Sequence, residues 1–173
     1  MYVLSYPNFE VKRSLNNSLA EMNVDQTVKN TTYNALNKAL TQHRFENITP
    51  ILTSLFAAIP HDWYRNNDIQ HYEGFYCATV YCYLTGLGYT AIAEDVTSQG
   101  KIDMTLLLDD SIVIMEFKLT TNGDAQSALT QIKNQHYADK YTSLKKPIYL
   151  VGISFDPDKR NVRECVFELC EGR

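Results

Sequence analysis

The chain has 173 residues and a mass of 19.8 kDa, enough for one domain with an accessory segment. Its hydrophobic fraction of 45% and charged fraction of 21% are ordinary for a globular protein, which excludes a disordered chain. The net charge of −4 excludes the strongly basic class of nucleic-acid-binding protein. The sequence contains no apolar run of about 18 residues and no signal-peptide pattern at its start, so we expect neither a membrane span nor a secretory signal.

The first part of the chain, residues 1–65, has apolar side chains at helical spacing. The first predicted helix runs from about residue 7 to 22. A second begins after Asp25, which is its predicted N-cap. A third runs from about residue 44 to 59 and is ended by Pro60. No acid–base pair is apparent in these helices. We therefore assign residues 1–65 to a small helical accessory segment that packs on the core.

Residues 66–173 have the pattern of a mixed domain. Predicted elements are a helix at about 68–87, strands at 89–96, 101–108 and 111–117, a helix at 125–142, and strands at 147–155 and 162–169. The order is helix, three strands, helix, two strands. It predicts an α/β (α+β) domain with a mixed sheet, preceded by the helical segment.

The four cysteines form two pairs with four intervening residues, Cys77 with Cys82 and Cys165 with Cys170. Zinc ligands favour a tight knuckle built from turn residues. Here the first pair lies in an aromatic helical stretch, and the second lies in or just after a strand. We therefore expect free thiols in a reducing compartment and a cytoplasmic protein.

The second and third predicted strands form a hairpin if Asp109 and Asp110 make a two-residue turn. In that register Asp103 faces Glu116 across the two strands. Lys118 shares their face because it lies two residues beyond Glu116. The hairpin thus brings two carboxylates and one ammonium group to one end of the sheet.

Both faces of this hairpin are otherwise apolar, as in a central strand that is covered on both sides. One face holds Thr105, Leu107, Ile112 and Ile114, and the other holds Ile102, Met104, Leu106, Val113, Met115 and Phe117. Facing carboxylates repel, and a divalent cation is the natural partner of such oxygen ligands. Lys118 could hold a phosphate oxygen or orient an attacking water. The alternative is a surface ion pair between Glu116 and Lys118 on an edge strand.

The flanking helices supply further candidates. Glu73 lies near the start of the first helix, where it could bind metal, orient water, or simply favour the helix dipole. Gln131 lies in the second helix and could line the site or belong to a solvated polar face. Lys133 is a candidate phosphate contact, with a solvated helix face as the alternative.

At these residues the sequence resembles the PD-(D/E)XK nuclease superfamily, whose core is restriction-endonuclease-like with the order α-β-β-β-α-β. More narrowly, it resembles the nuclease-like domain found C-terminal to bacterial AAA-ATPase-like domains. The matching residues are Glu73, Gly100-Lys101-Ile102-Asp103, Ile114-Met115-Glu116-Phe117-Lys118, Ala128-Leu129-Thr130-Gln131-Ile132 and Tyr137. Tyr137 follows Gln131 by six residues, whereas the related QxxxY nucleases have a spacing of four.

The resemblance implies a bacterial, metal-dependent endonuclease that hydrolyses phosphodiester bonds, with DNA as the expected substrate. It places Mg²⁺ or Mn²⁺ between Asp103, Glu116 and the backbone carbonyl of Phe117, with Glu73 as a further ligand. The implied catalytic set is Asp103, Glu116, Lys118, Glu73 and Gln131. We assign Lys101, Lys133 and Tyr137 to substrate binding.

The expected partner is therefore nucleic acid, with DNA as the leading candidate, and we expect no membrane association. A homodimer and an ATPase-like domain or protein are further partners to consider. Two other functions stay open at this point: a catalytically silent nuclease-fold module for binding or assembly, and an RNA-specific or single-strand-specific nuclease. The presence of both Glu116 and Lys118 argues against the silent module, whereas nothing in the sequence separates DNA from RNA.

Overall fold

The structure is a computed structural model, and it describes residues 26–64 and 68–170. The predicted helix at 7–22 and the cap at Asp25 lie outside these residues. The helices are α1 (Gln26–Thr41), α2 (Ile48–Ala57), α3 (Glu73–Gly86) and α4 (Ala125–Asn134), with short 3₁₀ segments at Phe45–Asn47, His61–Tyr64, Ile69–His71 and Tyr137–Leu144. The strands are β1 (Thr90–Val96), β2 (Lys101–Leu107), β3 (Ile112–Leu119), β4 (Ile148–Asp156) and β5 (Asn161–Leu169).

The five strands form one mixed sheet in the order β1-β2-β3-β4-β5. β3 and β4 run parallel, and every other neighbouring pair is antiparallel. A parallel pair needs a long crossover, and α4 with the 3₁₀ segment after it supplies this connection. The mixed α+β architecture with a restriction-endonuclease-like core is confirmed.

The hairpin of β2 and β3 has the predicted register. Met104 pairs with Met115 and Leu107 with Ile112, and the Leu108 amide donates to the Ser111 carbonyl at 2.9 Å across the turn. Both faces of the sheet are covered: one by α1, α2 and α3, the other by α4 and the following segment. β3 is therefore a central strand, and its side chains from Ile112 to Phe117 are all buried.

One predicted face assignment is wrong. Ile102 packs with Ile112 and Ile114 on the α4 side, not beside Met104 on the other side. Across from this point Glu94 has a φ of 52°, in the left-handed region that few non-glycine residues adopt. The prediction assumed that side chains alternate regularly between the two faces of the sheet. Along β2 this alternation is interrupted at Asp103, opposite Glu94.

The predicted bounds of both core helices also need correction. α3 begins at Glu73 instead of residue 68, because a 3₁₀ turn at Ile69–His71 and an extended Tyr72 precede it. α4 ends at Asn134 instead of residue 142, because His136 has a φ of 49° and the chain continues in 3₁₀ turns. Its start is fixed by Asp124, whose carboxylate accepts a hydrogen bond from the Ser127 amide at 2.7 Å.

None of the four cysteines forms a disulfide bond, and each is partly buried. Within residues 26–64 and 68–170, no helix has the length and apolar character required to cross a membrane.

The first turns of α4 lie directly on β4 at Gly152. A Cβ atom added there would collide with the Ala125 carbonyl oxygen and would lie 2.8 Å from the Leu129 amide nitrogen. Both obstacles are backbone atoms, so a side chain can be accommodated only by moving the helix. Gly152 pairs with Glu116, and the close approach therefore sets the distance between α4 and the proposed site.

We expect Gly152→Ala to lower the free energy of unfolding by about 1–3 kcal/mol, the usual cost of overpacking. Gly74→Ala is the matched control, because nothing lies within 4 Å of a Cβ added at Gly74 and alanine favours a helix. Urea denaturation of both variants measures the difference. Equal stability of the two variants would contradict the proposed close packing.

Candidate active site

The hairpin brings Asp103 of β2 and Glu116 of β3 together at one end of the sheet. The Asp103 carboxylate accepts a hydrogen bond from the Phe117 amide at 2.8 Å, which fixes it against the neighbouring strand. The Glu116 side chain is only 2% exposed. A surface ion pair on an edge strand is therefore excluded, because β3 is central and this carboxylate is buried.

The two oxygens of the Glu116 carboxylate have different surroundings. Oε1 accepts hydrogen bonds from Lys118 Nζ at 3.4 Å and from Gln131 Nε2. Oε2 is buried and has no hydrogen-bond partner among the described residues. A buried, unpaired carboxylate oxygen is costly, and a bound cation would satisfy it.

The electrostatics of this pair reflect burial and mutual repulsion. Burial, and next to it the charge of Asp103, raise the pKa of Glu116 to about 7. Burial also raises the pKa of Asp103, although the Phe117 amide and Lys118 act in the opposite direction. A divalent cation between the two groups would favour their charged forms, so the site has the properties of an oxygen-ligand metal site.

Glu73 occupies the first position of α3 and interacts electrostatically with Lys118 and Asp103. Burial raises its pKa, and a hydrogen bond with the Leu119 backbone amide partly offsets the effect. In the described part of the chain, no three His, Cys, Asp or Glu side chains gather closely enough to hold a metal ion. The structure thus brings Glu73 to the rim of the pair, and its role as a further ligand stays a prediction.

Gln131 and Tyr137 both reach the site despite their separation of six residues. A regular helix would place them on different sides, but α4 ends before His136 and the chain turns back. Tyr137 hydrogen-bonds to Gln131 and interacts electrostatically with Glu116. Its hydroxyl also lies against Gly100, where an added Cβ would be 3.0 Å away and where φ is 153°. The glycine of the Gly-Lys-Ile-Asp motif thus gives the tyrosine room.

Each predicted substrate-binding residue has a partner in the structure. Lys101 forms an ion pair with Glu94, and Lys133 forms one with Glu168 at 2.6 Å. Both pairs are exposed, and such pairs are weak enough to exchange a carboxylate for a phosphate. Tyr137 is only 3% exposed, a position suited to holding Gln131. The roles of these three residues in substrate binding stay predictions.

A mixed sheet whose central hairpin carries Asp103, Glu116 and Lys118, between one helix with Glu73 and another with Gln131, defines a restriction-endonuclease-like domain. Residues 71–165 match the profile of the PD-(D/E)XK nuclease superfamily. The chain belongs to this superfamily, as its motifs predict. The narrower resemblance to a domain that follows an ATPase-like domain stays a prediction.

The chain is also similar to a protein described as an uncharacterized protein in the vnfD 5′ region of Azotobacter chroococcum mcd 1. The two are 41% identical over 169 residues, which is 96% of this chain and 33% of that protein. The chain thus spans about a third of the length of this relative. No solved structure matches the chain significantly.

Sequence analysis missed one buried acidic residue near the site, Asp95 of β1. Its carboxylate is 4% exposed and accepts hydrogen bonds from Thr105 Oγ1 at 2.8 Å, from the Tyr141 hydroxyl and from Lys140. These contacts tie the Tyr137–Leu144 segment to β1 and β2. The only available signal was an acidic residue within a strand, because Lys140 and Tyr141 lie about 45 residues later.

The Asp95 network makes stability depend on pH. Burial alone would raise the pKa of Asp95, but the hydrogen bonds from Lys140, Tyr141 and Thr105 outweigh it and lower that pKa. A carboxyl group whose folded pKa lies below the unfolded value of about 4 stabilises the fold above that pH. The contribution is lost as the pH falls through the folded pKa.

We expect Asp95→Asn to lower the free energy of unfolding by about 2 kcal/mol at pH 7, because buried donors lose their charged acceptor. The difference from wild type should shrink as the pH falls below about 4. Urea denaturation across this range measures it, with Asp139→Asn on the same 3₁₀ segment as an exposed control. A difference that is constant with pH would mean that the charge of Asp95 contributes nothing.

Proposed function

We propose that this domain is a metal-dependent nuclease that hydrolyses phosphodiester bonds, and that its substrate is DNA. Members of the PD-(D/E)XK superfamily are generally hydrolytic nucleases that use divalent metal ions. The observation that carries the proposal is the buried, unpartnered Oε2 of Glu116 beside the carboxylate of Asp103. Lys118 contacts the same carboxylate, so the ligand and phosphate-binding groups are adjacent.

The residues that would hold Mg²⁺ or Mn²⁺ are Asp103, Glu116 and the Phe117 backbone carbonyl, with Glu73 at the rim. Their hard oxygen donors fit either ion. When bound, the ion supplies Lewis-acid stabilisation of the charge that develops on the phosphate.

The remaining side chains position the phosphate and the attacking water, and one of them accepts a proton. The Lys118 side chain is 19% exposed, so its ammonium group can hold a phosphate oxygen or the attacking water while Glu116 fixes its position. Gln131 donates to Oε1 of Glu116 and thereby leaves Oε2 for the ion. Burial raises the pKa of Glu73, which suits a group that accepts a proton from water.

DNA is the substrate that the resemblance of the motifs implies. The complete set of Asp103, Glu116 and Lys118 supports catalysis over a silent binding module. Four cysteines that form no disulfide bond support the proposed cytoplasmic location. A homodimer and an ATPase-like partner stay predictions.

Cleavage of nucleic acid by the purified protein tests this function directly. We expect plasmid DNA to be cut with Mg²⁺ or Mn²⁺ and to stay intact with EDTA. Glu116→Gln and Lys118→Ala should each lower the cleavage rate by at least about a hundredfold, as removal of a charge-stabilising group in a buried site does. Circular dichroism should show that both variants keep the fold.

Lys159→Ala is the matched lysine control, because Lys159 is exposed in the turn between β4 and β5. It should cut at the wild-type rate. Parallel reactions with single-stranded DNA and with RNA identify the preferred substrate. Cleavage by Glu116→Gln or Lys118→Ala at the wild-type rate would show that the active site is elsewhere.

A further inference from the structure

The tyrosine that precedes Glu73 differs from the other tyrosines of the structure. Of the ten tyrosines in the described residues, Tyr72 alone is exposed, at 67%, and the other nine are buried or half-buried. An isolated exposed aromatic residue is ordinary. Its position at the rim of the proposed active site, one residue before a carboxylate of that site, is what gives it significance.

The backbone of Tyr72 is held on both sides. Its amide donates to the Ile69 carbonyl at 3.1 Å, and its carbonyl accepts from the Phe75 amide at 3.0 Å. Adjacent Cα atoms are about 3.8 Å apart, so the backbone that carries the ring is held next to Glu73, whose carboxylate interacts with Asp103 and Lys118. Tyr72 therefore presents an aromatic surface on a rigid support beside the site.

A phosphate can bind the nearby lysines only by displacing a carboxylate that already pairs with them. Lys101 pairs with Glu94, Lys133 with Glu168, and Lys140 with the buried Asp95. The chain as a whole is also acidic, with a net charge of −4. Binding of nucleic acid at this site thus needs a contribution that does not depend on positive charge, and base stacking on an aromatic ring is such a contribution.

We propose that Tyr72 stacks on an unpaired base next to the scissile phosphate, so that the preferred substrate is single-stranded or locally unpaired nucleic acid. The inference rests on the proposed nuclease function and specifies its substrate. In an intact duplex both faces of a base are already stacked, and exposing one costs unstacking energy. Stacking tolerates any base, so Tyr72 selects unpaired structure without selecting sequence.

Binding is measured in a Glu116→Gln background, which prevents cleavage, with Mg²⁺ and a fluorescein-labelled oligothymidine strand. Tyr72→Ala should weaken binding about tenfold, as loss of one stacked base does. Tyr72→Phe keeps the ring and should bind like the parent. Leu169→Ala, a matched exposed apolar residue on the edge strand β5, should change nothing.

Two further readouts separate stacking from other effects. The slope of affinity against salt should be the same for Tyr72→Ala and its parent, because no phosphate contact is lost. Binding of a blunt duplex should be unaffected by Tyr72→Ala. Equal affinity of Tyr72→Ala and its parent for the single strand, or an equal loss on single strand and duplex, would overturn the inference.

Cleavage assays with an intact Glu116 distinguish a failure of the Tyr72 stacking role from a failure of the proposed nuclease function. If the protein cuts the single strand and Tyr72→Ala cuts it with the same KM, the stacking role is wrong and the nuclease function stands. If the protein cuts no nucleic acid but binds the single strand through Tyr72, the nuclease function is wrong and the stacking role stands. Failure to bind the single strand at all would also overturn the inference.

Discussion

Repulsion between the carboxylates of Asp103 and Glu116 is the constraint on which the rest of this structure depends. The two groups lie next to the last pair of a covered hairpin, Met104 with Met115, where burial strengthens their interaction and raises the pKa of both. Two apolar side chains at these positions would be more favourable for folding alone. The cost is consistent with a site that is completed by a cation, and the unpartnered Oε2 of Glu116 is where that completion is needed.

The surrounding fold holds this unfavourable pair in place. The two-residue turn fixes the register of the hairpin, and the parallel strand β4 prevents it from slipping. Gly152 lets α4 approach the sheet closely enough for Gln131 to reach Glu116. On the other side of Gln131, Tyr137 is held in the 3₁₀ segment that the Asp95 network ties to the sheet. Apart from the turn, these supports join elements that are distant in sequence, so the site depends on the complete domain.

Much of this arrangement follows from local patterns. The hairpin register and the meeting of Asp103 with Glu116 could be predicted because a two-residue turn leaves one register. The mixed sheet could be predicted because a helix lies between the third and fourth strands. The prediction placed Ile102 on the wrong face and made α4 too long. Both errors occur next to residues, Glu94 and His136, that adopt a left-handed conformation rare outside glycine. Asp95 was missed because its partners are remote in sequence.

Metal binding tests the central claim most directly. Mg²⁺ should raise the Tm of the wild-type protein, since a ligand selective for the native state stabilises it, and Asp103→Asn should abolish that shift. Without metal, Asp103→Asn should melt at a higher temperature than wild type, because one of two repelling charges is gone. Asp109→Asn, in the turn of the same hairpin, should behave like wild type. Equal Mg²⁺ shifts in wild type and Asp103→Asn, or a metal-free Asp103→Asn that melts lower than wild type, would contradict the account.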